Sequence, residues 1–340
     1  MDEIVQKAIK QAAVMKKAAD SVPWQPDQPH AQSYYTYDNT KQKWEPAEYK
    51  KPQEARDGPG ITRLALYSWN IDFMLPFDEE RMDAALAHLE ALTTKLPPTT
   101  AVVIFLQECL KTDLEIIGEK QWVRDKFHVT DVDTSNWASD YYGTTTLIDR
   151  RLDISSCFRV HYAKTRMERD ALFADVLLSS SSSSSSGPKT IRLCNTHLES
   201  LAMDPAYRPP QMQLAAGYMR EAGIDGALAA GDFNAIQDFD RTLHAANSLR
   251  DAYLEQGGAE DSDAGYTWGQ QAATDLRTRY GCSRMDKVYF TGGLAMCRFE
   301  RFGADVQLTE QEQRDKIVGL GFDKAWITDH LGVVVEVEIV

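Results

Sequence analysis

Six polar clusters in this chain sit at the ends of apolar, strand-like runs: Ser68-Trp69-Asn70-Ile71-Asp72, Gln107-Glu108, Asn195-Thr196-His197-Leu198-Glu199, Gly231-Asp232-Phe233-Asn234, Arg284-Met285-Asp286 and Thr328-Asp329-His330. The interior of a packed sheet is apolar, so polar groups at strand ends converge on one edge of rigid scaffolding, where a site can be built. The runs themselves are LALYSW, AVVIFL, ALFADVLL, TIRLCNTHL, GALAAG, DKVYF and GVVVEVEIV, each bounded by turn residues. Strands outnumber helices, and continuous apolar runs imply sheets buried on at least one face. The clearest helix is predicted over 78–96, where Met82, Leu86, Leu89 and Leu92 recur at three and four residues behind an Asp78 cap. A second opens at Pro210 and runs to 222.

Composition narrows the function classes. The 340 residues are 43% hydrophobic and 26% charged, enough to bury a sizeable core. No run reaches the ~18 consecutive apolar residues of a membrane helix. The segment MDEIVQKAIKQAAVMKKAAD carries charges where a signal peptide is apolar, so an intracellular protein of nucleus or cytoplasm is expected. A net charge of −14 disfavours a protein that coats nucleic acid. It does not exclude an enzyme that meets a phosphate chain at one site, where a metal ion or a local basic rim inverts the field. Five cysteines, with no CxxC pair, suit a reducing compartment and offer no zinc spacing.

Residues 1–20 space Ile4, Val5, Ala8, Ile9 and Ala12 as a short amphipathic helix. Residues 21–60 are rich in Pro, Gln and Asp yet hold Trp24, Tyr34, Tyr35, Tyr37 and Trp44, which suggests an arm packed on the domain by its rings, or a docking segment for a protein partner. The tract Ser179–Ser186 reads as a loose hairpin tip. The expected division is therefore 1–60 as helix and arm and 61–340 as one large domain.

Singly, each cluster is ordinary. Asn and Asp close turns after strands, Gly-Asp-Phe-Asn is a turn composition, and a lone His is more often a core residue than a ligand. Glu108 is harder to dismiss, because a carboxylate directly after the run Val102–Leu106 needs a cation or several donors. Together the clusters offer the oxygen donors that a hard divalent ion such as Mg2+ requires, with His side chains suited to phosphate. No GxxxxGK[ST], GxGxxG or GxSxG motif is present.

In order and spacing, these motifs resemble the endonuclease/exonuclease/phosphatase superfamily over residues 64–340. Trp-Asn-Ile-Asp at 69–72, His-Leu-Glu-Ser at 197–200, Tyr-Thr-Trp at 266–268 and Thr-Asp-His-Leu-Gly at 328–332 most resemble its tyrosyl-DNA phosphodiesterase 2 branch. The resemblance implies a four-layer α/β sandwich of two face-to-face sheets with helices outside. It implies a Mg2+-dependent phosphodiesterase, with Mn2+ as a substitute, acting on DNA 5′ ends that carry tyrosyl or peptide adducts. By the same resemblance Glu108 is the main metal ligand, with Asp72, Asp329 and Asn70 in or near the shell. Asp232 orients and deprotonates the attacking water, Asn234 positions it, Asp286 holds His330 on a phosphate oxygen, and His197 donates to the phosphate from the other side. Trp268 is a candidate base-stacking ring. Arg284, and Arg166 or Arg169, are candidates for the phosphate backbone. One departure from the branch is Gly269, where an Asp is typical. Alternatives are an abasic-site or other DNA or RNA nuclease, a small-molecule phosphatase of the same superfamily, or a non-catalytic binding module.

Overall fold

A computed structural model describes residues 16–50, 60–178 and 188–339. Two mixed sheets pack face to face. The first runs, in spatial order, β1 (Pro29–Ala31), β8 (Asp153–His161), β9 (Asp170–Leu178), β10 (Lys189–Thr196), β11 (Gly226–Asp232), β13 (Asp286–Gly292) and β12 (Arg250–Asp251). The second runs β14 (Leu294–Phe302), β15 (Gly332–Ile339), β4 (Arg63–Asn70), β5 (Thr100–Leu110), β7 (Tyr142–Asp149), β6 (Phe127–Val129), β2 (Tyr35–Asp38) and β3 (Lys43–Pro46). The pairs β10/β11 and β4/β5 are parallel.

Both faces of the central strands are buried, which is why their sequences are continuous apolar runs. Along β4, Leu64 and Leu66 join Val103, Phe105, Leu193, Leu228 and Val335 in the core between the sheets. Ala65, Tyr67 and Trp69 face the other way, onto Met82, Leu86 and Leu89 of helix α1 (Asp78–Thr93). Helix α2 (Arg208–Met219) covers the outer face of the first sheet through Met212, Ala215, Ala216 and Met219, giving the four layers that the sequence resemblance implied.

The seven apolar runs supply β4, β5, β9, β10, β11, β13 and β15, with β10 ending at Thr196, ahead of the end of its run. Helix boundaries differ from the sequence reading. Asp78 opens α1 and does not cap it: the cap is Phe77, at a φ of 67°, and Asp78, Glu79 and Glu80 face the N-terminal dipole. The helix stops at Thr93, ahead of Pro97. Helix α2 takes both Pro209 and Pro210 into its first turn.

The arm threads into both sheets. β1 pairs with β8, while β2 and β3 extend the second sheet through β6. Trp24 stacks on His161 with ring centroids 3.9 Å apart. The helix expected over 1–20 lies outside the described residues up to residue 15, and the serine tract lies wholly outside them.

Candidate active site

Polar side chains from both sheets meet at one edge of the sandwich. After β4 the chain turns at Asp72, whose φ is 54°, and Asn70 Oδ1 accepts the Asp72 amide at 2.9 Å. Asn70 Nδ2 donates to Asp232 Oδ2 at 3.0 Å, joining the two sheets. The end of β11 repeats the device, with Asp232 Oδ1 accepting the amide of Asn234 at 2.8 Å and Asn234 at a φ of 48°. A Cβ on Gly231 would lie 1.8 Å from the Thr196 carbonyl oxygen, so glycine alone lets β11 run this close to β10. Deeper in, Gln107 Nε2 donates to Asn195 Oδ1 at 2.9 Å, a second buried tie between the sheets.

Glu108 lies within β5 and not at its end. The ladder to β7 slips between Leu106 and Cys109, and Glu108 takes a φ of 59°. Such a bulge re-aims a side chain that regular pairing would bury. Its Oε2 accepts the Phe73 amide at 3.0 Å.

Two histidines flank Asp232. His197, just past β10, brings Nε2 to 3.3 Å from Asp232 Oδ2 and 3.8 Å from Glu108 Oε1. His330, just before β15, brings Nε2 to 3.8 Å from Asp232 Oδ2 and 3.7 Å from Asp329 Oδ1. Its Nδ1 lies 2.8 Å from Asp286 Oδ2. Trp69 Nε1 donates to the His330 carbonyl oxygen at 3.1 Å and Thr328 Oγ1 to that of Asn70 at 2.9 Å, fixing 328–330 against β4. Trp268 Nε1 donates to Asp329 Oδ2 at 2.6 Å.

The fields divide these groups. Burial alone would lower His330, but the carboxylates of Asp286, Asp232 and Asp329 reverse it and hold the ring well above its ordinary value, as an imidazolium. Burial would raise Asp232, yet His330 and His197 keep it below the usual carboxylate range and ionised. Asp72 is pushed up to about 8, by burial first and then by the charges of Asp329 and Glu108. Burial raises Asp329 as well.

Oxygen donors collect on the carboxylate side. Glu108, Asp72 and Asp329 supply hard oxygen donors, and the proton favoured on Asp72 is one that a cation displaces. Ligand atoms of Glu108, His197 and Asp232 lie within 4.8 Å of one another, as do those of Asp232, Asp286 and His330. The second group is built on the contact of His330 Nδ1 with Asp286 Oδ2 at 2.8 Å.

Residues 67–330 match the Endonuclease/Exonuclease/phosphatase family. The chain belongs to that family. Its members are hydrolases: nucleases, phosphatases and phosphodiesterases. The fold is shared with TDP2 from Caenorhabditis elegans, at 20% identity and a TM-score of 0.59, over 82% of this chain and 75% of that one. It is shared with D. rerio TDP2 complexed with single strand DNA product, at 18% identity and a TM-score of 0.59, over 81% of this chain and 99% of that one. A family protein from Bacteroides thetaiotaomicron is 13% identical with a TM-score of 0.58, over 82% and 98% of the two chains. No curated protein matches the chain.

The structure brings Asn70, Asp72, Glu108, His197, Asp232, Asn234, Asp286, Asp329 and His330 together, with Trp268 beside Asp329. The departure at Gly269 has a backbone cause. Its φ is 98°, and a Cβ would lie 2.5 Å from the Gly281 carbonyl oxygen, so Asp does not fit here.

Arg284 is a correction. Its guanidinium is buried and donates to Asp251 at 3.0 and 2.8 Å and to Glu260, whose other oxygen accepts from the buried Lys287 at 2.7 Å. A buried guanidinium whose two terminal nitrogens are both taken by carboxylates has no face for a phosphate backbone. Arg166 is exposed and donates to Tyr207 Oη at 3.0 Å, whereas Arg169 is buried against His197. Sequence reasoning missed Arg81, which donates to the carbonyls of Leu75, Pro76, Ile71 and Ile327 and so pins the turn after Asp72 to the segment before Asp329. An arginine within a helix gives no sequence sign of this.

Proposed function

We propose that this chain is a Mg2+-dependent phosphodiesterase that hydrolyses 5′-phosphotyrosyl bonds at DNA ends. The observation that carries the reading is the ionised Asp232 held between two imidazole Nε2 atoms at 3.3 and 3.8 Å. Likeness of fold to D. rerio TDP2 complexed with single strand DNA product supports DNA as the substrate class.

Phosphodiester hydrolysis needs an oriented water, charge stabilisation on the phosphoryl oxygens and relief of charge on the leaving oxygen. Asp232 accepts a hydrogen bond from the water and takes its proton as the new O–P bond forms, while Asn234, fixed by donating to the Leu198 carbonyl oxygen at 3.1 Å, helps hold that water. His330, cationic against Asp286, and His197 each donate Nε2–H to phosphoryl oxygens. Glu108, Asp72 and Asp329, with Asn70 beside them, would hold Mg2+, which when bound neutralises charge on the phosphoryl and leaving oxygens. The P–O bond to tyrosine breaks and the phenolate departs. With a pKa near ~10 it needs no general acid, unlike a sugar alkoxide.

The test is a substrate panel with Mg2+ or EDTA: an oligonucleotide with a 5′-phosphotyrosine, an abasic-site duplex, an RNA end and a small phosphate ester. The proposal expects EDTA-sensitive release of tyrosine and a 5′-phosphate end, with the other substrates slower. Cleavage of the abasic duplex alone would move the chain among the endonucleases, and turnover of the ester alone among the phosphatases. Binding without turnover of any substrate would make it a binding module.

A further inference from the structure

His197 is held from behind by an unusual partner. Arg169 brings a guanidinium nitrogen to 2.7 Å from His197 Nδ1, with both side chains buried. A guanidinium has donors only, so a contact of this length requires a bare lone pair on Nδ1. The one proton of the neutral ring then sits on Nε2, the atom that faces Asp232 and Glu108.

The polarity is the reverse of a metal-bound histidine, which ligates through one nitrogen and donates its other N–H to a carboxylate or carbonyl. We propose that Arg169 is a positioning residue that fixes His197 as the Nε2–H tautomer, making His197 a hydrogen-bond donor to a phosphoryl oxygen and barring it from the metal shell. The donor role rests on the phosphodiesterase reading above; the tautomer does not.

The loop that delivers Arg169 is built for that placement. Buried Glu199, two residues after His197, accepts Thr165 Oγ1 at 2.7 Å and the Arg166 amide at 2.8 Å. Thr165 Oγ1 in turn accepts the Arg169 amide at 3.0 Å and that of Met167 at 3.2 Å. Gln211 of α2 clamps the same loop, donating to Glu199 at 3.3 Å and to the Lys164 carbonyl oxygen at 2.8 Å. Arg169 also lies over the Tyr142 ring, 5.3 Å from its centroid, which fixes the guanidinium plane. The Glu of the His-Leu-Glu-Ser motif thus holds the arginine that holds the His.

The test is 15N spectroscopy of histidine-labelled full-length protein with Mg2+, with His197 assigned by its loss in H197Q. Wild type is expected to show a protonated Nε2 and a bare Nδ1. Arg169→Met should shift ring proton onto Nδ1 and allow Zn2+, which prefers imidazole, to bind the site more tightly. Its kcat should fall about 10- to 100-fold with KM held within about twofold, and Arg169→Lys should recover part of that loss. If Arg169→Met does not fold, Arg169→Gln serves in its place and the wild-type spectrum alone still decides the tautomer. A protonated Nδ1 in wild type, an unchanged tautomer in the variant, or a raised KM with kcat unchanged overturns the proposal. The expected spectra together with silence on every phosphodiester would sink the substrate reading and leave the tautomer standing.

Discussion

His197 and His330 flank one carboxylate, and the molecule puts opposite partners behind them. His330 Nδ1 meets the Asp286 carboxylate at 2.8 Å, whereas His197 Nδ1 meets the Arg169 guanidinium at 2.7 Å. A carboxylate behind an imidazole favours the doubly protonated cation; a guanidinium admits only the neutral ring with its proton at the far nitrogen. One residue type becomes a charged donor on one side of Asp232 and a neutral donor on the other. The residue behind the ring sets the role, and neither its identity nor its direction is written in the motif that holds the histidine.

Replacing the rings is the strongest way to break this asymmetry. A charge-assisted donor is stronger than a neutral one, so kcat on a 5′-phosphotyrosyl oligonucleotide should fall ~1000-fold in His330→Gln and ~100-fold in His197→Gln. Equal losses in steady-state kinetics would erase the distinction.

Arg284 offers a second guanidinium environment, one that serves only carboxylates. Arg284→Met leaves Asp251 and Glu260 facing each other with Lys287 as the remaining cation. It should cost about 3 to 5 kcal/mol in denaturant unfolding while KM for the oligonucleotide stays put. A raised KM with unchanged stability would return Arg284 to the substrate side.

Asp286→Asn keeps the hydrogen bond to His330 and removes its largest supporting charge, so turnover at neutral pH should fall about 10- to 100-fold. The pH profile gives the sign. His330 titrates above its ordinary value, so the imidazolium is present below that pKa and lost as pH rises through it. Without Asp286 the pKa falls, and the alkaline limb of kcat should move to lower pH. A limb that stayed in place would assign it to another group.

The smallest effect concerns the carboxylate side. Burial and the charges of Asp329 and Glu108 push Asp72 up to about 8 in the ion-free protein, so Mg2+ must displace a proton below that pH and compete with none above it. Affinity measured by calorimetry should rise with pH, by up to about tenfold per unit for one proton, and level off above about 8. Affinity flat between pH 6.5 and 7.5 would contradict the Asp72 assignment.

The central strands and the residue types at the site were legible in the sequence, because a strand buried on both faces must be apolar and its polar terminus stands out. Leu64 to Trp69 running into Asn70 is the clearest case. What escaped was geometry set by distant chain. Glu108 reads as a residue after a strand, yet it lies in a bulge whose partner, β7, is more than 30 residues away. Arg169 and Arg284 read alike as candidates for the phosphate backbone, and only tertiary packing turns one onto a histidine and the other onto two carboxylates. The helix ends shifted by a few residues: α1 stops at Thr93 and α2 runs from Arg208 to Met219.

The central claim is that this cluster carries out cation-dependent hydrolysis with Asp232 at its centre. A single-turnover assay of the 5′-phosphotyrosyl oligonucleotide, comparing wild type with Asp232→Asn in Mg2+ and in EDTA, tests it most directly. The account predicts rapid release by wild type in Mg2+, none in EDTA, and no release by Asp232→Asn although it binds the oligonucleotide as well as wild type does. Release that survives EDTA, or an Asp232→Asn variant within tenfold of wild type, would contradict it.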